Sequence, residues 1–282
     1  MKVPTKVAYA VAALCAGAAL AADVVRSGGP YVPTPQTVVD AMLDLARVGL
    51  ADFVVDLGSG DGRIVHTAAT RHKARGMGVD IDGELVDRAN ASAQKLGIQD
   101  RVKFLQQDVF ATDLSQATVL TLYLLPGMME SLRPKLLREL KPGTRIVSHD
   151  FDFGEWKPDR TIEVKTDEKY DLTGSWTSNV HLWTVPAAVE GAWSGSVDGE
   201  RGGSFLLQVR QRYQHFEGEL TRDSQVMELK DGQIEGSRVR FVATGPGSGS
   251  QTFTGTVNGT RMSGEMQGGG RWSAARTHAS GR

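Results

Sequence analysis

Val54-Val55-Asp56-Leu57-Gly58-Ser59-Gly60-Asp61-Gly62-Arg63 is the stretch that decides the fold. Two branched apolar residues lead into an acid, glycine then alternates with polar residues, and a helix-like run begins. The reading is a strand, a tight turn and a helix start. Glycine at 58, 60 and 62 removes every second Cβ, so the backbone bends sharply and comes close to a ligand. A helix N-terminus after such a turn ordinarily attracts phosphate. Here Asp56 and Asp61 flank the turn, oppose a pyrophosphate and favour a nucleotide-like ligand carrying positive charge. The dinucleotide pattern G-x-G-x-x-G asks for glycine where Arg63 stands. No G-K-[ST] string follows any glycine run either. Taken alone, the motif is equally an ordinary tight turn, and the downstream residues decide.

Those residues form a series. Gly76-Met77-Gly78-Val79-Asp80-Ile81-Asp82 reads as a second strand ending in acids. Asp80 comes 24 residues after Asp56, near the spacing at which an acid at the second strand end binds ribose hydroxyls. Val102 to Asp108 reads as a third strand, again ending in an acid. Val119 to Leu125 is a fourth and Arg145 to Ser148 a short fifth, after the turn Lys141-Pro142-Gly143. Near-continuous apolar strands suit a parallel sheet buried on both faces. Between them run helices: Thr34 caps one with Pro35 at its first position, Glu84 to Leu96 is stopped by Gly97, and Pro134 to Leu140 ends at Lys141. Alternating strand and helix predict a doubly wound α/β sheet whose strand-end acids share one edge. S-adenosylmethionine, with an ammonium and a sulfonium, meets the charge requirement there.

With these motifs in order, residues 31–186 resemble the class I S-adenosylmethionine-dependent methyltransferases. Within them the chain is most similar to the lineage that includes mitochondrial protein-lysine methyltransferases. The shared strings are Tyr31-Val32-Pro33-Thr34, the loop Gly58 to Val65, and Phe151-Asp152-Phe153-Gly154-Glu155-Trp156. The resemblance implies a seven-stranded Rossmann-like methyltransferase sheet, closed by an antiparallel pair at Thr161 to Val164 and Val180 to Val185. It implies that Asp56, Gly58, Ser59 and Gly60 hold the methionine part of the cofactor. Asp80 takes the ribose, Ile81 packs on adenine, Asp108 meets the adenine amine beside Val109, and Tyr31 and Thr34 cover the cofactor. Leu122-Tyr123-Leu124-Leu125-Pro126 stands where base N-methyltransferases often carry Asn/Asp-Pro-Pro-Tyr, which counts against that class. Methyl transfer needs alignment more than acid–base groups. Tyr123, His149 and Asp150 are catalytic candidates by position, each read more simply as a hydrogen-bonded residue at the pocket rim. His149 between acids does not define a metal site.

Composition adds bounds. The chain has 282 residues, room for two domains, with a net charge of −1 and 40% apolar residues. No general nucleic-acid footprint is visible. Lys2 and Lys6 precede an uncharged apolar run from Val7 to Ala22, and Ala19-Leu20-Ala21 matches a small-x-small cleavage site. Residues 1–22 thus read as a secretory signal peptide, placing the protein outside the cytoplasm, with an uncleaved membrane anchor or a cytoplasmic location as alternatives. Membrane contact is then confined to this segment. Cys15, the only cysteine, falls within it, so a processed chain has no disulfides.

From residue 191 the composition changes: 18 of the 33 glycines lie in the last 92 residues. An apolar-x-Gly-x-apolar pattern recurs at Trp193/Gly195/Val197, Phe216/Gly218/Leu220, Phe253/Gly255/Val257 and Met262/Gly264/Met266. With turn signals at Asp231-Gly232 and Asn258-Gly259, residues 191–276 predict an antiparallel β meander or small barrel. Its glycines either let the barrel curve or serve a ligand- or partner-binding module. Gly245 to Ser250 reads as a flexible loop, and the stretch after Trp272 as a frayed end. The leading expectation is an S-adenosylmethionine-dependent methyltransferase acting on a protein amine (lysine) or a small molecule. The rival is an exported binding protein that keeps the fold without catalysis.

Overall fold

The computed structural model describes residues 31–168, 170, 174–199, 202–245 and 249–277. The expected signal segment lies outside these residues, as does the centre of the Gly245 to Ser250 loop. The chain divides into two compact units, one of residues up to Glu139 with Ile146–Trp183, the other of Leu140–Arg145 with the residues from Thr184 onward.

The first unit holds a seven-stranded sheet. Its strands are β1 (Phe53–Leu57), β2 (Arg75–Asp80), β3 (Val102–Gln106), β4 (Val119–Leu122), β5 (Arg145–His149), β6 (Arg160–Lys165) and β7 (Thr177–Thr184). Their order is β3-β2-β1-β4-β5-β7-β6. The β1/β2, β1/β4 and β2/β3 pairs are parallel, and β6 runs antiparallel to β7. This is the expected methyltransferase sheet. The helices are α1 (Gln36–Leu45), α2 (Arg63–Arg71), α3 (Gly83–Lys95) and α4 (Pro126–Glu139). Val38, Val39, Met42 and Leu43 of α1 pack with Val54, Ile64, Ala68, Val119 and Val147 in one apolar core. Asp82 caps α3 by accepting from the Glu84 and Leu85 N–H groups.

Three local expectations change. Strand β4 ends at Leu122, because Pro126 already opens α4. That helix contains Pro134 rather than starting there. Pro35, not Thr34, precedes the first turn of α1, and the Thr34 hydroxyl goes to His149 instead of capping.

The second unit is a closed antiparallel barrel of eight strands, β8 (Gly191–Val197), β9 (Gly203–Arg212), β10 (His215–Arg222), β11 (Gln225–Glu235), β12 (Arg238–Gly245), β13 (Gly249–Asn258), β14 (Arg261–Met266) and β15 (Arg271–Arg276). Each strand pairs with the next, and β15 pairs with β8 to close the ring. The stretch after Trp272 is therefore a wall of the barrel, not a frayed end: Trp272 to Arg276 pair with Val197 to Trp193. Asn258-Gly259 is the expected hairpin turn, with Asn258 opposite Arg261. Asp231-Gly232 is not a turn. It is a bulge inside β11, with Asp231 at φ 51.

The recurrent glycines have a packing cause. Trp193, Phe205, Phe216, Phe241, Phe253 and Trp272 all point into the barrel. Phe241 and Phe253 stack at 4.8 Å, with the Trp272 ring edge-on to both at 5.9 Å. A Cβ at Gly195 would strike the Phe205 ring, and one at Gly255 would strike Trp272. Glycine at these two positions clears space for aromatic rings, while at Gly218 and Gly264 it clears the carbonyls of Gln208 and Thr254 on the paired strand, and the interior is filled with side chains. A ligand-binding interior was one reading of this module, and these rings take up that volume.

Candidate active site

The ends of β1, β2 and β4, with the residues following β3 and β5, surround a cavity of about 550 Å³. All ten residues singled out for cofactor binding line it: Tyr31, Thr34, Asp56, Gly58, Ser59, Gly60, Asp80, Ile81, Asp108 and Val109. They reach it from three strand ends, those of β1, β2 and β3, and from the segment before α1.

The glycine loop is built around its own strands. Gly58, Gly60 and Gly62 take φ of 80°, 53° and 81°, the region L side chains rarely adopt. The Gly58 and Ser59 N–H groups both donate to the Val79 carbonyl at 2.9 Å, and the Gly60 N–H donates to Asp80 Oδ2 at 2.8 Å. A phosphate cradle needs such N–H groups aimed at the ligand. Here they are turned onto β2, a stronger reason against a pyrophosphate than the flanking acids. Those acids are in fact muted. Burial works against the Asp61 charge, but Arg63 donates to both its oxygens (Nε at 3.0 Å, a terminal nitrogen at 2.7 Å) and holds its pKa below the usual value. The third guanidinium nitrogen of Arg63 donates to the Thr34 carbonyl at 2.8 Å, tying the Tyr31 to Thr34 segment down over the cavity.

Asp56 is the unusual group. It is 2% exposed, and burial first, then the charges of Asp80 and Asp61, push its pKa up to about 7 despite the bond it accepts from Thr121 Oγ1 at 2.7 Å. A buried carboxyl in that state gains most from a cation placed beside it. Asp80 Oδ1 accepts from the Asp82 N–H at 3.0 Å, so both of its oxygens are oriented. Asp108 Oδ1 accepts from the Phe110 N–H at 2.8 Å at the start of the short 3₁₀ turn Val109–Ala111.

The catalytic candidates separate. Tyr123 lines the cavity, and burial followed by the Asp150 charge raises its pKa, so its hydroxyl stays protonated at neutral pH. His149 is 1% exposed and lies behind Tyr123, ring centroids 3.9 Å apart. Its Nε2 is 2.8 Å from Ser178 Oγ and its Nδ1 is 3.3 Å from Thr34 Oγ1. Asp150, at φ 62, accepts from the Asn179 N–H at 3.0 Å. The structure therefore brings Tyr123 to the cavity wall and keeps His149 and Asp150 behind it. Phe151, Leu125 and Met128, not named as site residues from the sequence, complete that wall. In the sequence Leu125 reads only as the end of strand four and Phe151 only as the start of the shared aromatic string. Among the described residues, no cluster of His, Cys, Asp and Glu is arranged to hold a metal ion.

Residues 56–160 match the ANTKMT methyltransferase domain family. Over 157 residues, 55% of this chain and 93% of the relative, the chain is 42% identical to a protein-lysine N-methyltransferase of Saccharolobus islandicus (strain REY15A). The chain belongs to this methyltransferase family. It is also 34% identical over 148 residues to the adenine nucleotide translocase lysine N-methyltransferase of Mus musculus, covering 52% of this chain and 64% of that one. A crystal structure described as an RNA methyltransferase from Salinibacter ruber, in complex with S-adenosyl-L-homocysteine, is 51% identical at a TM-score of 0.50, covering 56% of this chain and 96% of that one. The protein is an S-adenosylmethionine-dependent methyltransferase, and the resemblance read from the glycine loop is borne out.

Proposed function

We propose that the chain methylates the side-chain amine of lysine in a protein acceptor, with S-adenosylmethionine bound in the cavity. The observation that carries the reading is the pairing of two walls. One is acidic and polar, with a buried carboxyl poised near neutrality. The other is apolar and aromatic: Tyr123, Leu125, Met128 and Phe151. The first suits a cationic nucleoside and the second the four-carbon stem of a lysine.

The residues present fit the cofactor. Asp56 would supply the counter-charge for its ammonium end, Asp80 the paired acceptors for ribose hydroxyls, and Ile81 (71% exposed), with Val109, the apolar faces for adenine. Asp108 would accept from the adenine amine. Tyr31 and Thr34, pinned by Arg63, would cover it. When bound, the cofactor supplies an electrophilic methyl on a sulfonium, and this chain's residues align the acceptor with it. The Tyr123 hydroxyl, protonated, orients the incoming nitrogen. With His149 and Asp150 behind the wall, the ammonium proton of the acceptor goes to solvent.

The chain spans somewhat less than two thirds of the mouse relative, and the acceptor named for that protein is not carried over. A second reading, an RNA acceptor, is favoured by the description of the Salinibacter ruber structure. Incubation with tritiated S-adenosylmethionine and either a library of lysine-bearing peptides or total RNA separates the two. Label in peptide that disappears when lysine is replaced by arginine supports the proposal, and label confined to RNA overturns it.

We also infer that residues 1–22 direct export, on the two lysines, the apolar run and the small-x-small site. N-terminal sequencing of the native protein tests this. A start at Ala22 or Asp23 supports it, and an intact Met1 refutes it.

A further inference from the structure

Five tryptophans occur in the chain, and four are essentially buried: Trp156, Trp183 and Trp193 at 0% and Trp272 at 2%. Trp176 is 54% exposed and stacks on Tyr170, itself 43% exposed, with ring centroids 4.0 Å apart at 19°. Leaving two large aromatic faces in water forgoes stabilisation that burial would bring. The pair stands between β6 and β7, and backbone bonds hold it. The Thr166 N–H donates to the Trp176 carbonyl at 2.9 Å, and the Gly174 N–H to the Tyr170 carbonyl at 2.8 Å.

Its place is specific. Trp176 precedes Ser178 by two residues, about 7 Å along an extended chain. Ser178 Oγ meets His149, whose ring backs Tyr123 on the cavity wall. Asn179 is bonded to Asp150, next to Phe151 of the same wall. The aromatic pair therefore rises from the edge of the sheet that holds the cavity, beside its apolar wall. The chemistry around it is acidic. Between Thr166 and Trp176 the sequence carries Asp167, Glu168 and Asp171 against Lys169 alone, and Asp167 and Glu168 are exposed.

We propose that Tyr170 and Trp176, with Asp167 and Glu168, form the docking element for the acceptor: a protein segment carrying lysine and arginine around its target residue. Exposed Trp and Tyr are the side chains that most often anchor protein interfaces. Their ring faces attract cations. The acids add attraction for a basic segment and repel a phosphate backbone, which nucleic-acid binding requires to be neutralised. This rests on the protein-acceptor reading and deepens it.

The test uses the full chain with S-adenosylhomocysteine and three probes. These are a 15-residue peptide of Lys, Arg, Ser and Leu, the same peptide with Glu at every basic position, and an oligouridylate. Trp176 is the exposed fluorophore, so acrylamide quenching reads it selectively. The basic peptide is expected to protect it saturably and the other two are not. In anisotropy with labelled basic peptide, Trp176→Ala and Tyr170→Ala should each weaken binding at least tenfold, while calorimetric affinity for S-adenosylhomocysteine stays within twofold. Equal peptide binding by wild type and both variants overturns the proposal, as does protection by oligouridylate instead of peptide. Methyl transfer to the peptide is scored separately. Binding without transfer counts against the acceptor reading and leaves the docking assignment standing. Transfer unaffected by either substitution overturns the docking assignment and supports the acceptor reading.

Discussion

Replacing Asp56 with asparagine should stabilise the free protein and cripple it as a cofactor binder. The folded-state pKa of Asp56 is about 7, against an ordinary value of 3.8. Between these values the folded state holds a proton that the unfolded chain has released, so this group's contribution to stability falls as pH rises from about 4 to 7 and is level above. A gap of about three pKa units corresponds to about 4 kcal/mol, a ceiling that structural relaxation lowers. Asparagine removes the titration and still accepts from Thr121 Oγ1 through its own carbonyl. Urea unfolding followed by circular dichroism at 222 nm isolates the relevant unit, because every described helix belongs to it. The stability of Asp56→Asn relative to wild type should rise between pH 5 and pH 8 by at least about 1 kcal/mol. In calorimetry the wild type should release a proton on binding S-adenosylmethionine below pH 7. Its affinity should fall about 25-fold between pH 7.5 and 5.5 if the bound carboxyl stays charged. The variant should bind weakly with no such slope. A stability difference that is the same at pH 5 and pH 8 would refute the assignment of a neutral, buried carboxyl.

Asp80→Ala removes the acceptor of the Gly60 N–H as well as the proposed ribose contact, and should cost roughly 1.5–3 kcal/mol of cofactor affinity by calorimetry; unchanged affinity means the ribose lies elsewhere. Because neither His149 nor Asp150 reaches the apolar wall, kcat for a lysine peptide should climb about tenfold per pH unit from 7.5 to 9.5, below the ordinary lysine pKa; a plateau by pH 7.5 would point to a base on the protein. Gly218 sits at φ 155, and a Cβ there would land on the Gln208 carbonyl, so Gly218→Ala should lower the thermal midpoint of the barrel by several degrees; an unchanged midpoint would show that the strand shifts freely. Phe241→Ala, which empties the centre of the aromatic stack, should destabilise the barrel by about 3–5 kcal/mol in urea; a loss below 1 kcal/mol would mean the core closes over the gap.

The sheet was legible because its strands are written as short apolar runs with an acid or glycine at each end, and the cofactor wall because its residues follow those strands directly. What failed to show was set by tertiary context. Pro134 reads as a helix start, since proline suits a first turn, yet here Pro126 already occupies that position and the helix runs through Pro134. Asp231-Gly232 has the composition of a hairpin turn, and only its pairing to β10 and β12 shows it to be a bulge. The stretch from Ser273 to Arg276 is short and has no large apolar residue, and nothing local indicates that it has a partner eighty residues earlier. His149 looked like a candidate base by position, whereas its burial behind Tyr123 depends on Ser178 and Thr34, two residues from distant segments. The muting of Asp61 by Arg63 was spelled out two residues apart, and the missed signal there was the short-range ion pair.

The seam between β8 and β15 has a consequence for biosynthesis. Until residue 276 has emerged from the ribosome, the barrel is an open sheet of seven strands with β8 and β14 as bare edges, each a template for pairing with another chain. Its aromatic interior faces water for the same interval. A nascent chain stalled or clipped before Arg271 therefore keeps both edges exposed. The open sheet of the first unit lives permanently with edges at β3 and β6, and β6 carries Arg160, Glu163 and Lys165 as charged guards. In the barrel β14 carries Arg261 and Glu265, but β8, Gly191–Val197, has no charged residue along its length and depends on closure. Loss of the last strand should accordingly appear as aggregation during synthesis before it appears as lost methyl transfer.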